Sequence, residues 1–329
     1  MRDKIFQQKL YGVIFVICLM AMLLCVGWVM NILLLPEETV PGETVAPTEG
    51  PTDPPPEPTI PALSIPELTL TARHSFIYIP ETGQFLMLKG EEDDKIYPAS
   101  LTKLFSTYVA LMYMDPAEVV KVGSEVNTVS PDSSIAGLRP GDKLTVKQLV
   151  EAMLLPSGND AALVLATATG RKLENNAKLS YTAAIKRFVK EMNRMAETFG
   201  LSGTHFENPD GYHNENHYTT CRDMQKIGQM ALTNPVIREA MATQKVVVDL
   251  QYDFPGGWKN TNLLIQPTSE YYNPAAIGMK TGYTRSAGYC LMSAFKVEGK
   301  TLMVGVFGCP EMLDRFADAQ KIYNAYVKQ

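Results

Sequence analysis

Apolar positions change their period several times along the chain, and each change predicts an element. Tyr11 to Leu35 is apolar throughout except for Asn31. As a helix rising 1.5 Å per residue it would reach about 37 Å, enough to cross a hydrocarbon core of about 30 Å. Pro36 to Glu67 has no apolar period and carries prolines at 36, 41, 47, 51, 54, 55, 56, 58, 61 and 66. Proline fixes φ and withholds a backbone donor, so an extended polyproline-II stalk is expected, spanning up to roughly 90–100 Å. Beyond it, Ser75 to Ile79 and Gln84 to Leu88 are short apolar runs separated by Pro80-Glu81-Thr82-Gly83, a hairpin signal. Helical spacing follows in Ser100 to Met114, Val146 to Leu155, Asp160 to Thr169 and Ala183 to Phe199. Gly288 to Lys296 and Thr301 to Gly308 then pair as strands across Val297-Glu298-Gly299-Lys300, and Leu313 to Tyr326 closes as an amphipathic helix. Strands at both ends of a helical middle predict an α+β domain. Its antiparallel sheet is expected to be flanked by terminal helices and to carry an inserted helical subdomain.

The boundaries that follow are a tail at 1–10, a transmembrane signal-anchor at 11–35, a Pro/Thr/Glu-rich linker at 36–67 and a folded domain at 68–329. The apolar run is longer than the roughly 7–15 residues of a secretory signal core and lacks a small-residue cleavage site, so a retained anchor fits better than a cleaved signal. Arg2, Lys4 and Lys9 precede the run, whereas Glu37, Glu38 and Glu43 follow it. The positive-inside rule then places the N-terminus in the cytoplasm and the domain outside the cell, held at the membrane through residues 11–35.

Composition excludes more than it identifies. With 46% hydrophobic and 20% charged residues the chain can build a real core. A net charge of −5 without any Lys/Arg block speaks against nucleic acid as a partner. Cys221, Cys290 and Cys309 form no CxxC spacing and read as small buried side chains.

Candidate chemistry begins at Ser100 and Lys103. If Ser100 opens a helix, Lys103 lies one turn away on the same face, within reach of the hydroxyl. A serine needs a base, and a lysine serves only when neutral, which burial and a second cation can bring about. Alone, this spacing reads more readily as a capped surface helix. Ser157-Gly158-Asn159 reads equally as a turn feeding a helix, and Lys280-Thr281-Gly282 as a strand ending in a turn.

Their order and spacing together are much more specific. The SxxK, Ser-x-Asn and Lys-Thr-Gly set is that of penicillin-binding proteins and class A β-lactamases. The strings Tyr97-Pro98-Ala99-Ser100-Leu101-Thr102-Lys103, Pro156-Ser157-Gly158-Asn159-Asp160-Ala161-Ala162, Asn208-Pro209-Asp210-Gly211 and Lys280-Thr281-Gly282-Tyr283-Thr284 carry the resemblance. From about Ala72 to Val327 the chain resembles the low-molecular-mass D-Ala-D-Ala carboxypeptidases of bacterial cell-wall metabolism. That resemblance implies a β-lactamase/transpeptidase-like fold and a serine hydrolase that removes the terminal D-Ala of peptidoglycan stem peptides, with β-lactams as covalent inhibitors and no cofactor or metal. It implies Ser100 as nucleophile, Lys103 as its base, Ser157 as proton relay to the leaving amine, and Asn159 as the group holding Lys103 and the substrate amide. Lys280, Thr281 and Gly282 would meet the substrate, Lys280 also serving as the second cation. The backbone N–H groups of Ser100 and Tyr283 would form the oxyanion hole. Arg315 is either a further contact to the substrate carboxylate or an exposed helix arginine.

Two departures stand out. Some relatives carry an arginine in an Asn-x-Asn-like stretch where this chain has Asn260-Thr261-Asn262. Many continue into a C-terminal β-domain ending in an amphipathic membrane helix; here the sequence ends at Gln329, so the N-terminal run is expected to do the anchoring. His213-Asn214-Glu215-Asn216-His217 is not HExxH and follows a polar turn, which makes it a structural loop rather than a metal site. A β-lactamase needs a glutamate-held water, and no Glu-x-x-x-Asn element lies between Asn159 and Lys280. A wall-peptide or β-lactam sensor would keep the pocket without turnover.

Overall fold

The computed structural model describes residues 62–248, 250 and 257–328. The expected tail, anchor and all but the end of the linker lie outside the described residues. In chain order the elements are β1 (His74–Ile79), β2 (Gln84–Lys89), a single 3-10 turn at Ala99–Leu101 and α1 (Thr102–Leu111). Next come β3 (Val119–Lys121), β4 (Lys143–Thr145), α2 (Val146–Leu154), α3 (Asn159–Leu173), α4 (Tyr181–Thr198), α5 (Cys221–Thr233) and α6 (Pro235–Ala242). The remainder is β5 (Lys245–Val246), β6 (Trp258–Lys259), β7 (Ala276–Thr284), β8 (Gly288–Val297), β9 (Lys300–Cys309) and α7 (Asp314–Val327).

Alternation in the strands explains why the sheet is buried on both sides. Its five strands run in the order β2-β1-β9-β8-β7, with antiparallel pairs such as Phe76↔Gly305, Met292↔Gly305 and Lys280↔Met292. Successive side chains point to opposite faces. Phe76, Tyr78, Met292, Ala294 and Met303 therefore join the core under the helices, while Ile77, Ile79, Leu291, Phe295, Leu302, Val304 and Val306 join a second core. Phe316, Ala319 and Ile322, at helical spacing on α7, seal that second core. Full burial of a Phe or Ile contributes about 1.5–3 kcal/mol, so α7 is held chiefly by this stripe.

The α+β architecture with an inserted helical layer is present, and among the described residues the terminal helix beside the sheet is α7, at the C-terminal end. Residues 62–70 adopt no helix or strand among the described residues, and Leu63, Ile65 and Leu68 pack against the second core. Thr71 N and Ala72 N donate to the Asp318 carboxylate of α7 at 2.8 and 2.9 Å. Packed chain thus reaches N-terminal of the boundary expected at Leu68.

In the helical layer, α1 is buried almost all round: Leu104, Phe105, Val109 and Ala110 are sealed, as are Thr102, Lys103, Ser106 and Thr107. A helix without a solvent face is the setting in which a lysine can lose its hydration. Helix α2 opens on a Thr145/Gln148 capping box. Helices α5 and α6, unmarked by the apolar period, start at the side-chain caps Thr220 and Asn234, the latter followed by Pro235.

Candidate active site

Ser100 lies in the 3-10 turn just before α1 rather than at the helix's own first residue. Ala99 ahead of it has φ 49°, a left-handed conformation that costs a residue with a Cβ roughly 1 kcal/mol or more. The turn is braced from two sides. Gly211 packs so closely that a Cβ there would stand 1.8 Å from Ala99 O, and a Cβ on Gly282 would stand 3.2 Å from Ser100 N. The Asn208–Gly211 loop and strand β7 thus grip the turn that presents Ser100.

Lys103 is wholly buried, with its Nζ 2.8 Å from Ser100 Oγ, 2.7 Å from Asn159 Oδ1 and 2.7 Å from Asp210 O. The last two partners are carbonyl oxygens and can only accept. A neutral amine has two N–H groups, and these two acceptors take both, which leaves the nitrogen lone pair directed at the Ser100 hydroxyl. Burial pulls Lys103 down to about 8, while the negative charges of Asp210 and Asp160 oppose the shift. Burial likewise raises the Asp210 carboxyl, and the charge of Lys103 works the other way.

On the facing wall, Ser157 has φ 66° and is buried, and Gly158 fits because a Cβ would lie 2.7 Å from Ala152 O. Asn159 N donates to Ser134 O at 2.8 Å. The Asp160 carboxylate accepts from Ala136 N, Gly137 N and Leu138 N at 2.8–3.0 Å. One acidic side chain therefore fastens the 133–138 loop to the start of α3.

The third wall is β7, the edge strand. Lys280 is buried and donates to Thr281 O at 2.9 Å. Burial, then the charges of Lys103 and Arg315, lower it well below an ordinary lysine. Thr281 Oγ1 is 2.6 Å from Thr261 Oγ1, so the threonine at the Asn-x-Asn position supports the strand's hydroxyl. Tyr283 is half exposed and stacks on Tyr289 at 4.2 Å. Arg315 turns inward from α7: it is buried, donates from Nη1 to Gly282 O at 3.1 Å, and lies over the rings of Tyr289 and Phe316. It is not an exposed helix arginine.

Ser100, Ser157, Asn159, Thr281, Gly282, Tyr283 and Arg315 line one cavity of about 460 Å³, with Lys103 and Lys280 buried behind it. Burial is the main influence on both lysines, and the repulsion between their charges disfavours protonating both at once. Sequence reasoning assigned no role to Asp210, although its string was in view; the contact runs through a backbone carbonyl, which side-chain identity does not report. His217 is buried, contacts Thr102 Oγ1 through Nε2 at 2.8 Å and accepts from Glu207 N at Nδ1. Burial holds it neutral, pushed down to about 3. No group of three potential metal ligands occurs among the described residues. Among the described residues, the cavity lining includes one carboxylate, Asp132.

Comparison with known proteins agrees with this geometry. The D-alanyl-D-alanine carboxypeptidase family model matches residues 62–311. A D-alanyl-D-alanine carboxypeptidase of Streptomyces sp. is 33% identical over 273 residues, covering 80% of this chain and 90% of the relative. The carboxypeptidase DacF of Bacillus subtilis is 29% identical over 262 residues, covering 78% of this chain, which spans 62% of that relative's length. Among solved structures, a Streptomyces DD-transpeptidase superimposes with a TM-score of 0.71 at 31% identity, covering 80% of this chain and 100% of that one. A penicillin-binding protein of Listeria monocytogenes in its ampicillin-bound form gives a TM-score of 0.63 at 25% identity, covering 79% and 99%. With Ser100, Lys103 and β7 disposed as described and the family model covering most of its length, the chain belongs to the D-alanyl-D-alanine carboxypeptidase family.

Proposed function

We propose that this protein is a serine D-Ala-D-Ala carboxypeptidase acting on peptidoglycan stem peptides through an acyl-enzyme on Ser100. The observation that carries the reading is Lys103 Nζ at 2.8 Å from Ser100 Oγ with its other two positions taken by carbonyl acceptors. Ser100 Oγ attacks the penultimate D-Ala carbonyl as Lys103 takes its proton. Among the described residues the outer edge of β7 pairs with no strand, so an extended peptide can lie along it by strand addition. The terminal carboxylate then meets Thr281 and the positive charge of Lys280 and Arg315. The backbone N–H groups of Ser100 and Tyr283 stabilise the oxyanion, and Ser157 passes a proton to the departing amine. D-Ala leaves, and water completes hydrolysis of the ester with Lys103 again as base. A β-lactam presents the same carbonyl and carboxylate and acylates Ser100.

The apolar run at 11–35 and its flanking charges support a single-pass anchor with the catalytic domain on the wall side of the cell membrane. Those residues lie outside the described ones, and among the described residues no helix is long and apolar enough to cross a membrane.

Labelled benzylpenicillin should give a stable adduct on Ser100 that is lost in Ser100→Ala, and a pentapeptide should release D-Ala. Rapid penicillin hydrolysis would instead make the protein a β-lactamase. Labelling without D-Ala release would make it a sensor. Protease access to a C-terminal tag in intact cells checks the orientation.

A further inference from the structure

The cavity's charges are unevenly divided. Arg315 and Arg285 line it on the β7 side, and the one carboxylate lining it among the described residues, Asp132, stands on a separate loop. That loop is a fixed element, tied to α3 through Ser134 O and through the three amides held by Asp160. It places Asp132 with the Ser157–Asn159 wall rather than with the strand. Asp132 Oδ1 accepts from Tyr212 OH at 3.1 Å. Tyr212 is itself held: its N–H donates to Asp210 Oδ1 at 3.2 Å, and its carbonyl accepts from Asn208 Nδ2 at 2.9 Å. Asp132 therefore has a hydroxyl partner and, among the described residues, forms no ion pair with a cation. An ionised carboxylate offers about four lone-pair positions, and a single phenol donor leaves most of them directed elsewhere.

A carboxylate oriented by a neighbour, lining a cavity and carrying no cation of its own, suits a positively charged ligand group. The cationic side of the site is matched to the terminal carboxylate of the peptide. The oppositely charged wall is then left for the part of the peptide preceding the scissile bond.

We propose that Asp132, oriented by Tyr212, is a specificity residue that binds a primary ammonium group carried by the acyl-donor peptide. This deepens the carboxypeptidase reading and rests on it. An ammonium group also belongs to any amine that attacks the acyl-enzyme in place of water, so the test separates the two sources.

The full-length protein is assayed in detergent with Nα-acetyl-Lys-D-Ala-D-Ala, whose ε-amine is free, and with its Nα,Nε-diacetyl counterpart. The readout is the ratio of kcat/KM between the two peptides. Asp132→Asn should lower that ratio about fivefold, the scale of a partly exposed ion pair, and Tyr212→Phe should lower it by less, in the same direction. Stoichiometric benzylpenicillin labelling of Ser100 in both variants reports an intact site. An unchanged ratio overturns the proposal. A second arm supplies glycylglycine as amine acceptor with the diacetyl donor. Loss of transfer product in Asp132→Asn, with the ratio unchanged, overturns the donor assignment and gives Asp132 to the acceptor. Penicillin labelling of the wild type without D-Ala release from either peptide overturns the underlying reading as well.

Discussion

Two lysines lie buried behind the same cavity, and their surroundings differ. Lys103, on a helix with no solvent face, donates to two carbonyl acceptors, meets the Ser100 hydroxyl and feels the charges of two carboxylates. Lys280, on the edge strand, has one backbone acceptor and feels two cations. Equal burial is therefore met by opposite charge surroundings. The carboxylates partly restore the affinity of Lys103 for a proton, and burial still holds it down to about 8. Lys280 is lowered by burial and by the neighbouring cations, and an incoming anion would oppose that shift. The first site is suited to moving protons and the second to detecting a carboxylate.

The sharpest way to break this contrast is to remove each amine in turn. Lys103→Gln should lower D-Ala release and penicillin acylation by about 10³-fold or more, because the serine loses its base. Lys280→Gln should retain stoichiometric labelling of Ser100 while lowering kcat/KM by about 10²-fold, the scale of a buried charge-assisted contact. If both variants lose labelling equally, the division of roles is wrong. A pH profile sharpens the contrast further. With Lys103 at about 8, kcat/KM should rise with pH and level off above that value, since only the neutral amine acts as base. Asp210 raises Lys103, so Asp210→Asn should move this acid limb to lower pH while the backbone carbonyl contact persists. A limb that stays in place or moves upward would count against the electrostatic account. The smallest effect is expected at Thr261→Val, which deletes the 2.6 Å contact to Thr281 and should cost about fivefold in kcat/KM.

Much of this contrast was hidden in the sequence, for definable reasons. Lys103 three residues after Ser100 was legible because helical spacing dictates their proximity, and β8 and β9 were legible because their apolar runs are long. Lys280 could be placed beside the site only through the joint order of three motifs. What sets the two lysines apart is contributed from afar: Asp210 lies 107 residues from Lys103 and acts partly through a carbonyl. Arg315 was ambiguous because a helix position does not say which way a long side chain folds. Here the rings of Tyr289 and Phe316 and the carbonyl of Gly282 turn it inward. Helix α5 is masked in the sequence because Gln225, Gly228 and Gln229 interrupt its apolar stripe, and α6 because it is only 8 residues long, although Asn234-Pro235 marks its start.

The free edge of β7 has a consequence outside catalysis. An unpaired strand edge invites pairing with any other exposed edge. In this protein the Ser157–Asn159 wall and Tyr212 face that edge across a cleft of about 460 Å³. A single flexible tail fits such a slot, whereas the rim of a folded sheet would arrive with its neighbouring strands and collide with the opposite wall. The enclosure that lets the strand receive a peptide also works as a size filter. It shields folded neighbours from the enzyme and the enzyme from them.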